Sequence, residues 1–272
     1  MKKIRAPPFS LRNSLECGQV FGWRKHGDGY AGVLRGKKVF VRQRTPWLQF
    51  EGASADEIRN YFALDHDLNE IYSKISVDDR LRQAVKEFGG LRILRQEPWE
   101  CAVSFLCSQN SNIPRIEKML YNLRKRFGTP LDKDTQAFPS PAQLSKATEK
   151  QLQQCGLGYR AKYVKKFADH IARHKDDFLA LKKLSYEKAR ERLMNHLGIG
   201  PKVADCVCLY SLEKLDAFPI DAWMKKVLEK KYGKKEGYAK SAEFARKRFG
   251  RFAGYAQLYL FAWARSKRHS LK

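Results

Sequence analysis

Along this chain the spacing of apolar residues changes once. Before about residue 50 they fall in short alternating or continuous runs, 21–24, 30–34, 38–43 and 47–50, separated by turn dipeptides such as Asp28-Gly29 and Arg35-Gly36. Alternation buries one face of each run and exposes the other, and with Gly-containing turns it predicts an antiparallel meander. After Ser54 the apolar positions recur at helical spacing over 55–64, 79–88, 98–107, 114–127, 151–155, 161–174, 186–197, 202–212, 222–232, 239–248 and 255–265. Pro98 and Pro114 suit a first helical turn, Asp221 can cap the segment it precedes, and Gly128, Gly156 and Gly233 suit helix ends. The Pro-rich stretch 129–142 reads as an exposed connection. Strands followed by helices predict an α+β protein, with a small N-terminal antiparallel sheet domain and short helices over 1–85 and an all-α domain over 86–272.

Charge narrows what such a protein can be. Its 54 Lys+Arg outnumber 29 Asp+Glu, giving a formal charge of +25 that excludes an ordinary acidic metabolic enzyme. A surplus this large points to a strongly negative partner, nucleic acid first and an anionic membrane surface second, the plain alternative being a solvated face. The charge is concentrated at the C-terminal end, where residues 224–272 hold 15 Lys+Arg against 3 Asp+Glu, whereas 51–79 is acidic. At 43% hydrophobic the chain can build a core, so it is not a disordered basic tail. Its apolar runs are too short for a membrane span, and the basic N-terminus leads into Pro7-Pro8 rather than an apolar signal core, so a soluble, intracellular protein is expected. The cysteines, Cys17, Cys101, Cys107, Cys155, Cys206 and Cys208, sit in apolar runs without metal-ligand spacing, the pattern of buried thiols. No metal or cofactor is expected.

The densest chemistry lies in Leu197-Gly198-Ile199-Gly200-Pro201-Lys202-Val203-Ala204-Asp205-Cys206. A helix ends, Gly198 and Gly200 make a tight hairpin, and Pro201 opens the next helix. Glycine lets a phosphate approach the backbone, and the first-turn amides with the helix dipole face the anion. Lys202 falls in that first turn, where the dipole disfavours a cation and so favours the free amine of a nucleophile. It could equally be one more phosphate contact. Asp221, after Phe218-Pro219-Ile220, stands at a helix start, where it can cap the helix and also face a cleft.

With these residues the chain resembles the helix-hairpin-helix DNA glycosylase superfamily, and within it the 8-oxoguanine DNA glycosylases. The resemblance extends to 16–24 (ECGQVFGWR), 106–113 (LCSQNSNI), 156–161 (GLGYRA) and 253–261 (AGYAQLYLF) and spans nearly the whole chain. It implies a monomer acting on double-stranded DNA containing 8-oxoguanine in base excision repair. By resemblance, Lys202 attacks C1′ of the damaged nucleotide and forms a Schiff base that permits β-elimination, and Asp221 assists deprotonation and steadies the charge on the sugar. Asp205, three residues after Lys202, is the rival carboxylate, disfavoured by the family pattern. Gly18 matches the carbonyl that accepts the N7–H of the lesion, a contact that guanine, with a lone pair at N7, cannot make. Gln257 matches the residue bonding the pairing edge, and Phe261 and Cys206 those packing on the two faces of the base. Asn110 matches the filler of the vacated stack, Tyr159 the wedge beside it, and Arg115 and Arg160 readers of the orphaned cytosine.

Three positions depart from the pattern. Trp223 replaces a phosphate-contacting His of the eukaryotic members, Ala264 an Asp near the pocket, and Ser111 interrupts an Asn run. Two other functions remain in view: a monofunctional alkylated-base glycosylase, which would keep Asp221 without needing Lys202, and a non-catalytic DNA-binding module that uses the hairpin only to grip phosphate.

Overall fold

A computed structural model describes residues 1–174 and 177–267, apart from the side chain at 177; Arg268 and Lys272 of the basic C-terminal stretch lie outside the described residues. The N-terminal part comprises β1 (Lys2–Arg5), α1 (Leu11–Glu16), β2 (Arg24–His26), β3 (Gly29–Leu34), β4 (Lys37–Arg44), β5 (Trp47–Glu51), α2 (Ala55–Tyr61), α3 (Leu68–Ile75) and α4 (Asp79–Glu87). Helices follow: α5 (Pro98–Cys107), α6 (Ile113–Phe127), α7 (Pro141–Ser145), α8 (Glu149–Leu152), α9 (Arg160–Arg173), α10 (Asp177–Lys183), α11 (Tyr186–Met194), α12 (Pro201–Ser211), α13 (Ala222–Tyr232), α14 (Tyr238–Phe249) and α15 (Ala253–Ser266). The α+β class read from the periodicities is the class observed.

The sheet is antiparallel, in the order β1-β5-β4-β3-β2. Alternation works as it should on its inner face: Val39, Val41, Leu48 and Phe50 are fully buried and cluster with Ile58 and Phe62. Strand β1 was missed because it is short and sends one residue, Ile4, inward, too little to show a period. The first expected strand, 21–24, is displaced and begins only at Arg24. The cause lies in its aromatics. Phe21 leaves the sheet to meet Phe105 edge-on at 6.0 Å, and Trp23 lies against Gly32 while its indole N–H donates to the Tyr61 hydroxyl at 2.7 Å.

A second, larger buried cluster joins α5, α9, α11, α12, α13 and α15. Leu68, Ile71, Ile75, Leu81 and Ala84 of α3 and α4 belong to it, while Leu94 belongs to the sheet cluster, so residues on both sides of the expected boundary at 85/86 cross over. Helix α12 is buried along nearly all its length beyond its first turn, which places its N-terminus at the surface and its body in the core. That arrangement fixes the position of the hairpin.

Candidate active site

The hairpin closes as the glycines require. Gly198 has φ +86°, and a Cβ there would strike the ring of Tyr163 at 2.3 Å, so only glycine fits. Gly200 is extended, a conformation any residue adopts, and a Cβ there would face open space. Pro201 stands in the first turn of α12, whose N-cap, Gly200, offers no side-chain hydrogen bond. The first-turn amides thus receive no side-chain cap from Gly200, an arrangement able to meet an anion.

Lys202 is half-buried at this end of α12. Its Nζ donates to Ser108 Oγ at 2.7 Å and lies 4.9 Å from the centre of the Phe105 ring. Ser108 in turn donates to the Phe105 carbonyl at 2.7 Å. The hydroxyl hydrogen is therefore committed, and the oxygen presents a lone pair to the lysine. Asp221 caps α13 by accepting the Met224 amide at 2.8 Å. Burial pushes its carboxyl above the ordinary aspartate range, an effect that the Met224 amide and the Lys202 charge only partly oppose. Cys206, one turn beyond Lys202 and 3% exposed, has a thiol pushed up to about 12 by burial, again opposed by Lys202. One cation thus sits within electrostatic reach of both a half-buried carboxyl and a buried neutral thiol.

Asp205 is excluded from this group by its partners. Fully buried, it accepts from Tyr186 at 2.8 Å, Tyr238 at 2.6 Å and Arg190 at 2.8 Å. Burial and the adjacent carboxylate push both tyrosine hydroxyls up, so they remain donors. This carboxylate ties α11, α12 and α14 together.

The expected base-recognition residues converge at the junction of sheet and helices. Gly18 has φ +97°, and a Cβ there would meet Arg265 Nη1 at 2.8 Å, Ile113 Cδ1 at 2.9 Å and Phe261 Cε1 at 3.6 Å. Its neighbour Gln19 is 1% exposed and holds the loop in place: its amide donates to the Ser14 and Arg92 carbonyls and accepts from the Leu94 amide, and its own carbonyl receives Gln96 Nε2. Gln257, 4% exposed, accepts from the Tyr210 hydroxyl at 3.3 Å, and Tyr210 stacks on Phe105 at 5.4 Å, the ring beside Lys202.

A third group faces outward from the turn between α5 and α6. Asn110 is exposed at φ +45°, an uncommon conformation for a residue with a side chain. Its Nδ2 donates to the Tyr159 hydroxyl at 3.3 Å, and the Tyr159 ring is 49% exposed. Arg115 is exposed in the first turn of α6. Arg160 does not accompany it. At 2% exposure its guanidinium donates to the carbonyls of Gln109, Asn110 and Leu157 and lies over the Tyr159 ring at 4.5 Å. In this state it holds the Asn110 turn. The reason is that three carbonyls converge where α9 begins.

Of the departures, Trp223 is half-buried in the first turn of α13, with Lys226 Nζ 5.7 Å from its ring centre. Ala264 is fully buried, and Ser111 Oγ is buried with no hydrogen-bond partner among the described residues. Sequence reasoning assigned no role to Ser108, Phe105, Tyr210, Gln109 or Arg265. Ser108 and Gln109 stood inside a matching block, the available signal for them. Gln109 donates to the carbonyls of Leu106 at 3.2 Å and Gly198 at 3.1 Å, joining the outward-facing turn to the hairpin.

Residues 3–102 match the family described as 8-oxoguanine DNA glycosylase, N-terminal domain, and residues 103–251 the HhH-GPD superfamily base excision DNA repair proteins. The N-glycosylase/DNA lyase of Saccharomyces cerevisiae is 36% identical over 262 residues, covering 84% of this chain and 70% of that one. An Arabidopsis thaliana N-glycosylase/DNA lyase is 30% identical over 95% of this chain and 78% of its own length. The 8-oxoguanine glycosylase/lyase of Clostridium acetobutylicum, solved with double-stranded DNA containing cytosine opposite 8-oxoguanine, superposes with a TM-score of 0.91 at 35% identity, covering 96% of this chain and 93% of that one.

Proposed function

The chain belongs to the 8-oxoguanine DNA glycosylase family, and from that premise we propose that Lys202 and Asp221 carry out its reaction, that of a bifunctional DNA glycosylase and lyase. The observation that carries this reading is the position of Lys202. It lies at the open end of α12 in the hairpin, held by Ser108 and within electrostatic reach of the half-buried Asp221 carboxyl.

Attack by the Nζ lone pair on C1′ forms a C–N bond as the C1′–N9 bond breaks and its electrons leave with the base. Asp221 accepts a proton from the attacking nitrogen and opposes the positive charge that grows on the sugar. Opening of the sugar ring gives a protonated Schiff base. Loss of a C2′ proton then expels the 3′ phosphate, and water releases the lysine from the unsaturated product. The strand is left nicked.

The damaged base must leave the stack to reach Lys202. Gly18 and Gln257 would then read its edges, with Phe261 and Cys206 on its faces; a thiol pushed up to about 12 presents a neutral surface there. Asn110 and Tyr159 would fill the gap, and the exposed Arg115 would read the opposite base, donating to the acceptors of cytosine where adenine presents a donor. For Arg160 to take part it must first release the Gln109 and Asn110 carbonyls. Gly198, Gly200 and Trp223 lie where a phosphate backbone would pass. The remaining positive charge supplies salt-sensitive attraction to duplex DNA inside the cell.

The test is to incubate the protein with duplex containing 8-oxoguanine opposite each of the four bases, then add borohydride. The expected result is a covalent adduct, most abundant opposite cytosine, that disappears in Lys202→Gln with more than about a thousandfold loss of base release. Base release without an adduct would instead identify a monofunctional glycosylase, and binding without release a non-catalytic module.

A further inference from the structure

Helix α15 carries Gln257 and Phe261 four residues apart, and the next position on that face is Arg265. Its guanidinium touches both walls of the base site. Nη1 donates to the Cys17 carbonyl, across the junction between the helices and the N-terminal loop, and would lie 2.8 Å from a Cβ at position 18. The guanidinium carbon also stands 5.5 Å from the centre of the Phe261 ring.

We infer that Arg265 is a specificity-determining positioning residue, which clamps the Cys17-Gly18 peptide against Phe261 so that the Gly18 carbonyl meets the N7 edge of a base lying on that ring. The inference rests on the proposed roles of Gly18 and Phe261. Gly18 has no side chain with which to lock its own backbone, and φ +97° is a conformation that glycine leaves readily. Gln19 secures the loop on its C-terminal side through Ser14, Arg92 and Leu94. On the other side, the Cys17 carbonyl receives Arg265. The carbonyl that must point at the lesion therefore belongs to the residue between two anchors, one from each part of the fold.

A cation in the last turn of a helix is also favoured by the helix dipole, and that alone would account for an arginine pointing into water. Arg265 instead is half-buried, spans to another part of the fold and lies over an aromatic ring. Placing a carbonyl within hydrogen-bond distance of N7–H takes tenths of an ångström, so a peptide freed on one side loses the contact that separates 8-oxoguanine from guanine.

The experiment separates reading a base from holding DNA. In the Lys202→Gln background, which cannot turn over, affinity is measured for two duplexes, one with 8-oxoguanine opposite cytosine and one with a tetrahydrofuran abasic analogue, which has no base to read. Adding Arg265→Leu is expected to weaken the first by about ten- to hundredfold, the range for loss of a hydrogen bond from a charged group, and to leave the second unchanged. With Lys202 intact, Arg265→Leu should lose excision of 8-oxoguanine in the same proportion, keep borohydride trapping on a pre-formed abasic site, and recover in part as Arg265→Lys. Equal weakening on both duplexes would mean that the residue supports structure or general DNA attraction, and an unchanged 8-oxoguanine affinity would show that no clamp exists; either result overturns the inference. Failure of wild type to excise 8-oxoguanine would count against the proposed function itself.

Discussion

Two aspartates follow Lys202, three and nineteen residues further along the chain, and their hydrogen-bond partners differ in kind. Asp205 is fully buried with three donors on its oxygens, from Tyr186, Arg190 and Tyr238. Asp221 is instead met by backbone amides at the start of α13, that of Met224 among them, although burial raises both carboxyls above the ordinary range. A carboxylate that already accepts three side-chain donors from two neighbouring helices is committed to holding structure together. One held by backbone amides, with the Lys202 charge acting on it, is left open to chemistry.

The largest test of that contrast is Asp221→Asn. Asparagine keeps the helix cap but cannot take up a proton, so base release should fall by about 10²–10⁴-fold while DNA affinity stays. Stability should move the other way. Because the folded-state pKa lies above 3.8, the folded protein retains a proton that the unfolded chain releases, and stability falls as pH rises through that window. At neutral pH the ionised carboxylate is therefore a net cost, and Asp221→Asn should melt higher than wild type. In wild type, single-turnover base release should decline on acidification at a pH above the usual aspartate range, and a decline confined to that range would count against Asp221 as the base.

Asp205→Asn should lose roughly 3 kcal/mol in denaturant unfolding, since an amide nitrogen would replace one of the two acceptor oxygens facing three donors and the half-buried Arg190 would lose its counter-charge. Activity per folded molecule should be kept. If it dropped as far as in Asp221→Asn, the division between the two carboxylates would be wrong. The smallest expected effect comes from the other side of Lys202. Ser108→Ala removes the acceptor that orients Nζ and should slow borohydride trapping by about tenfold, with Ser108→Thr restoring most of it.

The same contrast marks what could be read from sequence. Lys202, the hairpin and Asp221 were legible because each occupies a position with a local signature: glycine spacing, proline at a helix start, aspartate before a helix. The meander and most long helices were legible from periodicity. Helix α3 also had a signature, Asp67 before Leu68, Ile71 and Ile75, and was passed over. What stayed hidden depends on distant contacts. That Asp205 is held by three donors follows from tyrosines and an arginine on α11 and α14, and that Arg160 is buried follows from carbonyls contributed by the turn after α5. A resemblance supplies a residue's identity, not the number of partners already using it.

Gln109 has a consequence for how DNA would be searched. One side-chain amide joins the turn bearing Asn110 to the Gly198 carbonyl of the hairpin. Under the proposed roles, a phosphate held at the hairpin would fix where along the strand Asn110 meets the stack, so that spacing would be set inside the protein and not by the DNA.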